Sequence, residues 1–377
     1  MKVLITGGAG FIGSNLALRL IDLGHEVTVL DNLNSQIHGE DPEKSSGLYK
    51  SIINKVKFIY GSVCNEQKLL QAIDGQDAIV HLAAETGTGQ SMYEVKRYVD
   101  VNIGGTALLL DILTNQNHTV KKVVVASSRA IYGEGKYYSK EIGVNYPEAR
   151  KEENLEKGIF DPICEVSGQV LKLMATDEES KIHPTSIYGI TKQNQEQMVM
   201  ISCAANGIAA SALRYQNVYG PGQSLKNPYT GILSIFSTSI LNGNDINIFE
   251  DGLESRDFVY IDDVVDATIL ALTKDTANGQ VFGIGSGVAT SVKEVAEKLI
   301  KSYGAKIEVK ITGNYRIGDI RHNYACLKKS KKLLGYDPKV SFEQGIINFT
   351  NWVKSQEIDN DLYEQSINEL KSRGLYK

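Results

Sequence analysis

The sequence predicts an α/β fold: a parallel, doubly wound sheet carrying a smaller C-terminal α/β unit. Three observations carry this reading. Across the first third of the 377 residues, short apolar runs alternate with segments whose apolar residues repeat at helical spacing. The runs are apolar at successive positions, which marks strands covered on both faces. A glycine-rich turn joins the first run to the first helical segment.

Residues 3–5 are the first strand and 11–23 the first helix, with apolar residues at helical spacing. Residues 27–30 form the second strand. Residues 56–60, 78–81 and 123–126 continue the series, with a helix over 99–113 between the last two. A helix over 187–205 and a strand over 208–213 extend it. Beyond Asn217 the texture changes at the turn-rich Tyr219-Gly220-Pro221-Gly222-Gln223. Residues 258–273 and 280–284 return to the sheet. The expected division is therefore 1–217 with 256–288 as one domain, and 218–255 with 289–377 as the smaller one. From about 134 to 185 no strand–helix rhythm is legible, and Lys, Glu and Tyr dominate. So long a stretch reads as an inserted excursion, either a lid or interface or a solvated surface loop.

Composition narrows the function. With 42% hydrophobic and 23% charged residues, 35 Gly and 7 Pro, the chain is globular rather than disordered or fibrous. A net charge of −5 without a basic stripe argues against nucleic acid as a partner. Cys64, Cys164, Cys203 and Cys326 lie far apart with no CxxC, so neither a metal site nor a disulfide framework is expected. The N-terminal apolar stretch is too short for a secretion signal, and no run spans a bilayer. A cytoplasmic protein without a membrane partner is the expectation.

Gly7-Gly8-Ala9-Gly10-Phe11-Ile12-Gly13 follows the first strand and opens the first helix. Gly7 permits the tight turn, Gly10 lets backbone approach a pyrophosphate, and Gly13 lets helix and strand pack closely. The helix N-terminus then offers free N–H groups to phosphate. Asp31 ends the second strand, 24 residues after Gly7. Its carboxylate suits a ribose diol and repels a 2′-phosphate, so a Rossmann-type site for NAD rather than NADP is predicted.

Three Tyr-x-x-x-Lys pairs occur, Tyr132/Lys136, Tyr188/Lys192 and Tyr324/Lys328, and only Tyr188/Lys192 opens a convincing helix. Residues i and i+4 share a helix face. An ammonium beside a phenol favours phenolate, which yields a general base for an alcohol. Upstream, the strand ending Val125-Ala126-Ser127-Ser128 brings two hydroxyls to a carboxyl end, where ligands of such sheets bind. Either serine can relay the proton.

Together these residues resemble the extended short-chain dehydrogenase/reductase family, particularly its nucleotide-sugar 4-epimerases. The resemblance runs through His81-Leu82-Ala83-Ala84, Ser127-Ser128-Arg129-Ala130-Ile131-Tyr132-Gly133, Leu213-Arg214-Tyr215-Gln216-Asn217 and Arg256-Asp257-Phe258. It implies a catalytic set of Ser128, Tyr188 and Lys192. It implies NAD contacts at Phe11, Ile12, Asp31, Asn32, Leu82, Ala83, Ala84, Asn102, Lys192 and Tyr215, with Ser62 and Val63 where the family usually has an adenine-facing Asp. Substrate contacts map to Thr86, Ser128, Arg129, Asn217, Arg256, Arg316 and Asp319, and the two arginines Arg256 and Arg316 can fork to phosphate. The resemblance also implies a homodimer paired through helices 99–113 and 187–205.

The chemistry implied is inversion of C4 of a nucleotide-diphosphate sugar through a 4-keto intermediate. A 4,6-dehydratase is the nearest alternative, but the related dehydratases carry Asp-Glu after the catalytic hydroxyl and this chain has Arg129-Ala130. A keto-sugar reductase and a non-catalytic NAD-binding regulator are the others. The polar loop Glu85-Thr86-Gly87-Thr88-Gly89-Gln90-Ser91 resembles that of dTDP-rhamnose-type 4-epimerases.

Overall fold

A computed structural model describes residues 1–225, 227, 231–357 and 363–377. Seven parallel strands form the central sheet: β1 (Lys2–Thr6), β2 (Glu26–Asp31), β3 (Lys57–Tyr60), β4 (Ala78–His81), β5 (Lys122–Ser128), β6 (Ala209–Tyr215) and β7 (Gln280–Ile284). Their spatial order is β7-β6-β5-β4-β1-β2-β3. The chain thus fills one half of the sheet outward from β1, returns beside β1 with β4, and fills the other half.

Strand periodicity sorts the core into two layers. Val3, Ile5, Val29, Val80 and Val124 face helices α1 (Phe11–Asp22) and, later in the chain, α6 (Ile261–Thr273). Leu4, Leu30, Ile79, Val123 and Val125 face α2 (Glu66–Ile73), α3 (Gly105–Asn115) and α4 (Ile187–Ala205). The helix expected over 99–113 does not run as one regular α-helix. Its first six residues, Val99–Gly104, form a π-turn that leads into α3.

The smaller unit is built from α5 (Ile232–Leu241), α7 (Val292–Tyr303) and α8 (Phe342–Lys354), with short strand pairs such as Ile246–Ile248 against Val309–Ile311. Leu233, Phe236, Val295, Leu299 and Phe349 join the same apolar cluster as β1 and α1. The two expected domains therefore share one continuous core. Residues 226, 228–230 and 358–362 of the smaller one lie outside the described residues. Among those described, no helix is long and apolar enough to cross a membrane.

The segment 134–185 is more ordered than its sequence suggests. Tyr137–Ser139 pairs antiparallel with Gly143–Asn145 and with Lys172–Leu173, and Tyr137, Cys164 and Leu171 form a small core beneath. Its buried charges tie it to the smaller unit. Arg321 bonds Asp161 (2.7 Å), Glu250 (2.9 Å) and Asp251 (2.7 Å), while Arg150 bonds Glu250 (2.8 Å) and Glu134 (3.3 Å). Thr176 N–H donates to the Tyr324 carbonyl and Gly283 N–H to Glu178, so the far end of the segment is stitched down too. A solvated loop would have none of these bonds.

Candidate active site

Strand order reverses between β1 and β4, and a cleft of about 480 Å³ opens at the carboxyl ends of the strands there. The glycine turn shapes its floor. Gly7 has φ +68°, and a Cβ on it would lie 2.8 Å from the Ala83 backbone. A Cβ on Gly13 would lie 2.5 Å from the Gly7 carbonyl oxygen, so only glycine lets α1 sit on its own strand. Gly10 caps α1 without a side chain, and the first turn holds no acid, which leaves its N–H groups for an anion. Asp31 accepts from the Ala9 N–H (3.0 Å) and the Leu33 N–H (2.8 Å). Burial raises its carboxyl above the ordinary range, and those N–H groups and His38 oppose the rise.

Across the cleft stands the start of α4. Ser186 caps it by accepting from the Gly189 N–H (3.1 Å), and Ser91 accepts from the Tyr188 N–H (3.1 Å). A Cβ on Gly189 would come within 2.6 Å of the Ala130 carbonyl oxygen. Glycine therefore lets α4 press onto the 3₁₀ turn Arg129–Tyr132 that follows β5. That approach sets the Tyr188 side chain beside Ser128 on the wall of the same cleft, where the Ser128 hydroxyl acts on the phenol's titration. Lys192, one turn on, is buried and donates to the Ala126 carbonyl (3.0 Å).

The two serines part company here. Ser127 donates to Glu196 (2.5 Å), and Glu196 holds Arg214 (2.6 Å), whose other nitrogen donates to the Tyr132 hydroxyl (2.6 Å). Ser127 is thus committed to a buried network, and Ser128 meets Tyr188.

The electrostatics differ from the expected phenol–ammonium partnership. Burial pushes the Tyr188 phenol above its ordinary value, and the Ser128 hydrogen bond and the Arg129 charge pull it back. Burial also brings Lys192 down to about 7. A lysine near neutrality carries only part of its charge, so the relief of the phenol comes from Ser128 and Arg129.

Gly7, Gly10, Phe11, Ile12, Gly13, Asp31, Asn32, Ser62, Val63, Leu82, Ala83, Ala84 and Tyr215 all line the cleft, together with Tyr188 and Lys192. Asn102 does not. It is fully buried and works behind the wall, accepting from the Glu85 N–H (2.7 Å) and donating to the Glu85 carbonyl (3.1 Å) and Thr191 (2.9 Å). Of the expected substrate contacts, Thr86, Ser128, Arg129 and Asn217 line the cleft.

Arg256, Arg316 and Asp319 do not line it. Arg256 spends its terminal nitrogens on Asp319 (3.0 Å) and on the carbonyls of Ser255, Arg321 and Ile320. Arg316 pairs with Asp319 (3.0 Å) beside a separate cavity of about 30 Å³. Burial would raise the Asp319 carboxyl, but Arg316, Arg256, Arg150 and Arg129 hold it below the usual carboxylate range.

Several site residues escaped the sequence reading. Glu196 shares a face with Tyr188 and Lys192 at i+8 and i+4, and that spacing was a readable signal. Glu85, in the polar loop of residues 85–91 and paired with Arg97 (2.7 Å), and His38, 3.9 Å from Asp31, line the cleft, and no local pattern marks His38.

Residues 3–153 and 148–285 match the NAD dependent epimerase/dehydratase family. The chain belongs to that family. It is 38% identical over 361 residues to the dTDP-L-rhamnose 4-epimerase of Burkholderia thailandensis, covering 95% of this chain and 96% of that protein. Among solved structures it is similar to a UDP-glucose 4-epimerase of Thermotoga maritima with UDP-glucose, at 30% identity and TM-score 0.75, covering 94% of this chain and 99% of that one. It is likewise similar to a UDP-glucuronic acid 4-epimerase of Bacillus cereus in complex with UDP-glucuronic acid and NAD, at 26% identity and TM-score 0.75, covering 94% and 99%.

The residues of this epimerase/dehydratase-family chain fit NAD. The turn at Gly7, the uncapped N-terminus of α1 and the carboxylate of Asp31 supply the three things a dinucleotide needs: a close backbone approach, N–H groups for pyrophosphate and an acceptor for a ribose diol.

Proposed function

We propose that this NAD-dependent enzyme inverts C4 of a nucleotide-diphosphate sugar through a transient 4-keto sugar. Ser128 and Tyr188, brought together with Lys192 at the carboxyl end of β5 inside the dinucleotide cleft, carry this reading. NAD, when bound, would supply a reversible two-electron acceptor for the C4 hydride. Gly7, Gly10 and Gly13 would hold its pyrophosphate, Asp31 and Asn32 its adenosine ribose, and Ser62 and Val63 its adenine. Tyr188 takes the C4 hydroxyl proton as general base and returns one after the sugar has turned over. Ser128 holds the reacting oxygen and relays the proton. Lys192, on the cleft wall, would help hold the cofactor, its charge adjustable near neutral pH. Thr86 and Asn217 bind the substrate from the cleft wall.

The substrate is a dTDP- or UDP-linked hexose or 6-deoxyhexose used for cell-surface polysaccharide precursors. The 38% identity to a dTDP-L-rhamnose 4-epimerase favours the deoxysugar. Arg129 and Ala130 stand directly after the reacting hydroxyl, so no acid–base pair is available there for the elimination that a dehydratase performs. The enzyme works in the cytoplasm as a homodimer. Exposed Val95, Val99, Ile190 and Ile201 on and beside the Val99–Gly104 turn and α4 are the apolar positions that a second copy would cover. Incubation with a panel of dTDP-, UDP-, CDP- and GDP-sugars, read by proton NMR at C4, tests the reading. A C4 epimer forming without added NAD supports it. A 4-keto-6-deoxy product, or no change with any sugar, contradicts it.

A further inference from the structure

The arginines that the family resemblance assigns to phosphate are largely spent on protein. All four hydrogen bonds of the Arg256 terminal nitrogens go to Asp319 and to backbone carbonyls. Arg316 faces Asp319 beside the other cavity. A diphosphate entering the main cleft therefore needs a different first cation.

The basic side chains lining that cleft, among the described residues, are Arg97, Arg129, Lys192 and His38. Arg97 is paired with two carboxylates, Glu85 (2.7 Å) and Glu94 (2.8 Å). Lys192 donates to the Ala126 carbonyl beside Tyr188, and His38 sits at Asp31, at the opposite end. Arg129 differs. Its Nε donates to the Asn217 side-chain oxygen (2.9 Å), which fixes the plane of the guanidinium. No described acceptor takes its two terminal nitrogens. It follows Ser128 directly on the cleft wall, and Tyr188, Arg256 and Asp319 all act on it electrostatically. It is therefore near both the group that meets C4 and the charged cluster of the smaller unit. In a nucleotide-diphosphate hexose, the anomeric phosphate lies across the sugar ring from the C4 hydroxyl. A planar fork anchored at Nε and open at both terminal nitrogens matches two oxygens of one phosphate.

The geometry points to Arg129 as the residue that binds the sugar-side phosphate of the substrate, with Asn217 as its positioning partner. This rests on the functional reading above and adds that the phosphate anchor is carried on the same turn as the catalytic hydroxyl. Recognition of the diphosphate and alignment of C4 are then set by one short segment of backbone.

The test compares the NAD-loaded wild type with Arg129→Gln and Arg129→Lys in their binding of dTDP, dTMP, UDP and UMP by calorimetry. A sugar-side anchor predicts that Arg129→Gln weakens the better-binding diphosphate about 30-fold, the factor equivalent to loss of a buried charged hydrogen bond. The matching monophosphate, which lacks that phosphate, should change less than about threefold on the same reasoning. Arg129→Lys keeps the charge but loses the fork, so it should fall between. Retention of NAD by each variant reports that the fold is intact, and if the glutamine variant does not fold, the lysine variant alone still separates diphosphate from monophosphate. Unchanged diphosphate binding, or equal losses for both nucleotides, overturns the inference while leaving the epimerase reading in place. Wild-type protein that binds neither diphosphate overturns that reading and this inference together.

Discussion

Tyr188 is half-buried beside Ser128, and its phenol sits above its ordinary value because desolvation outweighs the Ser128 hydroxyl and the Arg129 charge. Such a group is a base only when something further lowers it, and the positive charge of an oxidised nicotinamide would act in that direction. Tyr188→Phe is expected to lower kcat about 10³-fold or more, the scale of a lost general base, while NAD still co-purifies. Near-normal turnover in that variant would remove Tyr188 from the chemistry. Lys192 carries a second consequence. Its ammonium falls from 10.5 to about 7 on folding, so the folded chain binds fewer protons than the unfolded chain between those values. Stability therefore rises with pH through that window, and the burden is fully present below about 7. Cofactor-free Lys192→Met should be more stable than wild type at pH 6, with an advantage on the order of 5 kcal/mol that shrinks toward pH 10. Urea unfolding at several pH values checks this, and a difference independent of pH would contradict it. Tyr188, Lys192, Asp31 and the glycines were legible because their chemistry depends on spacing along one element. The partner of Ser127 was not, because Glu196 and Arg214 meet it only after α4 and β6 pack.

At the scale of elements, close approach decides what glycine does. Gly13 holds α1 on β1, and Gly189 holds α4 on the turn after β5. Gly13→Ala puts a Cβ against backbone that cannot yield cheaply, with an expected cost of about 1–3 kcal/mol and loss of retained NAD. A thermal midpoint and cofactor content equal to wild type would argue against that packing. The buried charges between the 134–185 segment and the smaller unit make a sharper case. Arg321→Met leaves Asp161, Glu250 and Asp251 without their common partner and should cost about 3–5 kcal/mol. Chemical denaturation reads the change, and a loss below 1 kcal/mol on the same reasoning would mean water replaces the arginine freely. The central sheet strands were legible, since consecutive apolar residues leave little alternative to a strand covered on both faces; the edge strand β3, with Lys57 and Tyr60 exposed, shows the pattern least. The strands of 134–185 were not, since three-residue strands bury too few side chains to show a period.

For the whole molecule, sequence reasoning captured the doubly wound sheet and the cleft at its reversal point. The turn at Tyr219–Gln223 looks like a boundary in composition, and Leu233, Phe236 and Phe349 beyond it pack into the same core as the sheet. A dimer is expected by sedimentation at micromolar concentration, and a monomer there would contradict pairing through α4. The measurement that bears most directly on the account is the fate of a label at the reacting carbon. A dTDP- or UDP-hexose deuterated at C4, incubated in ordinary water without added NAD, should yield the C4-inverted sugar with deuterium still at C4. Deuterium moved to C6, or lost to released reduced cofactor, would contradict epimerisation and assign the Ser128–Tyr188 pair to dehydration or net reduction.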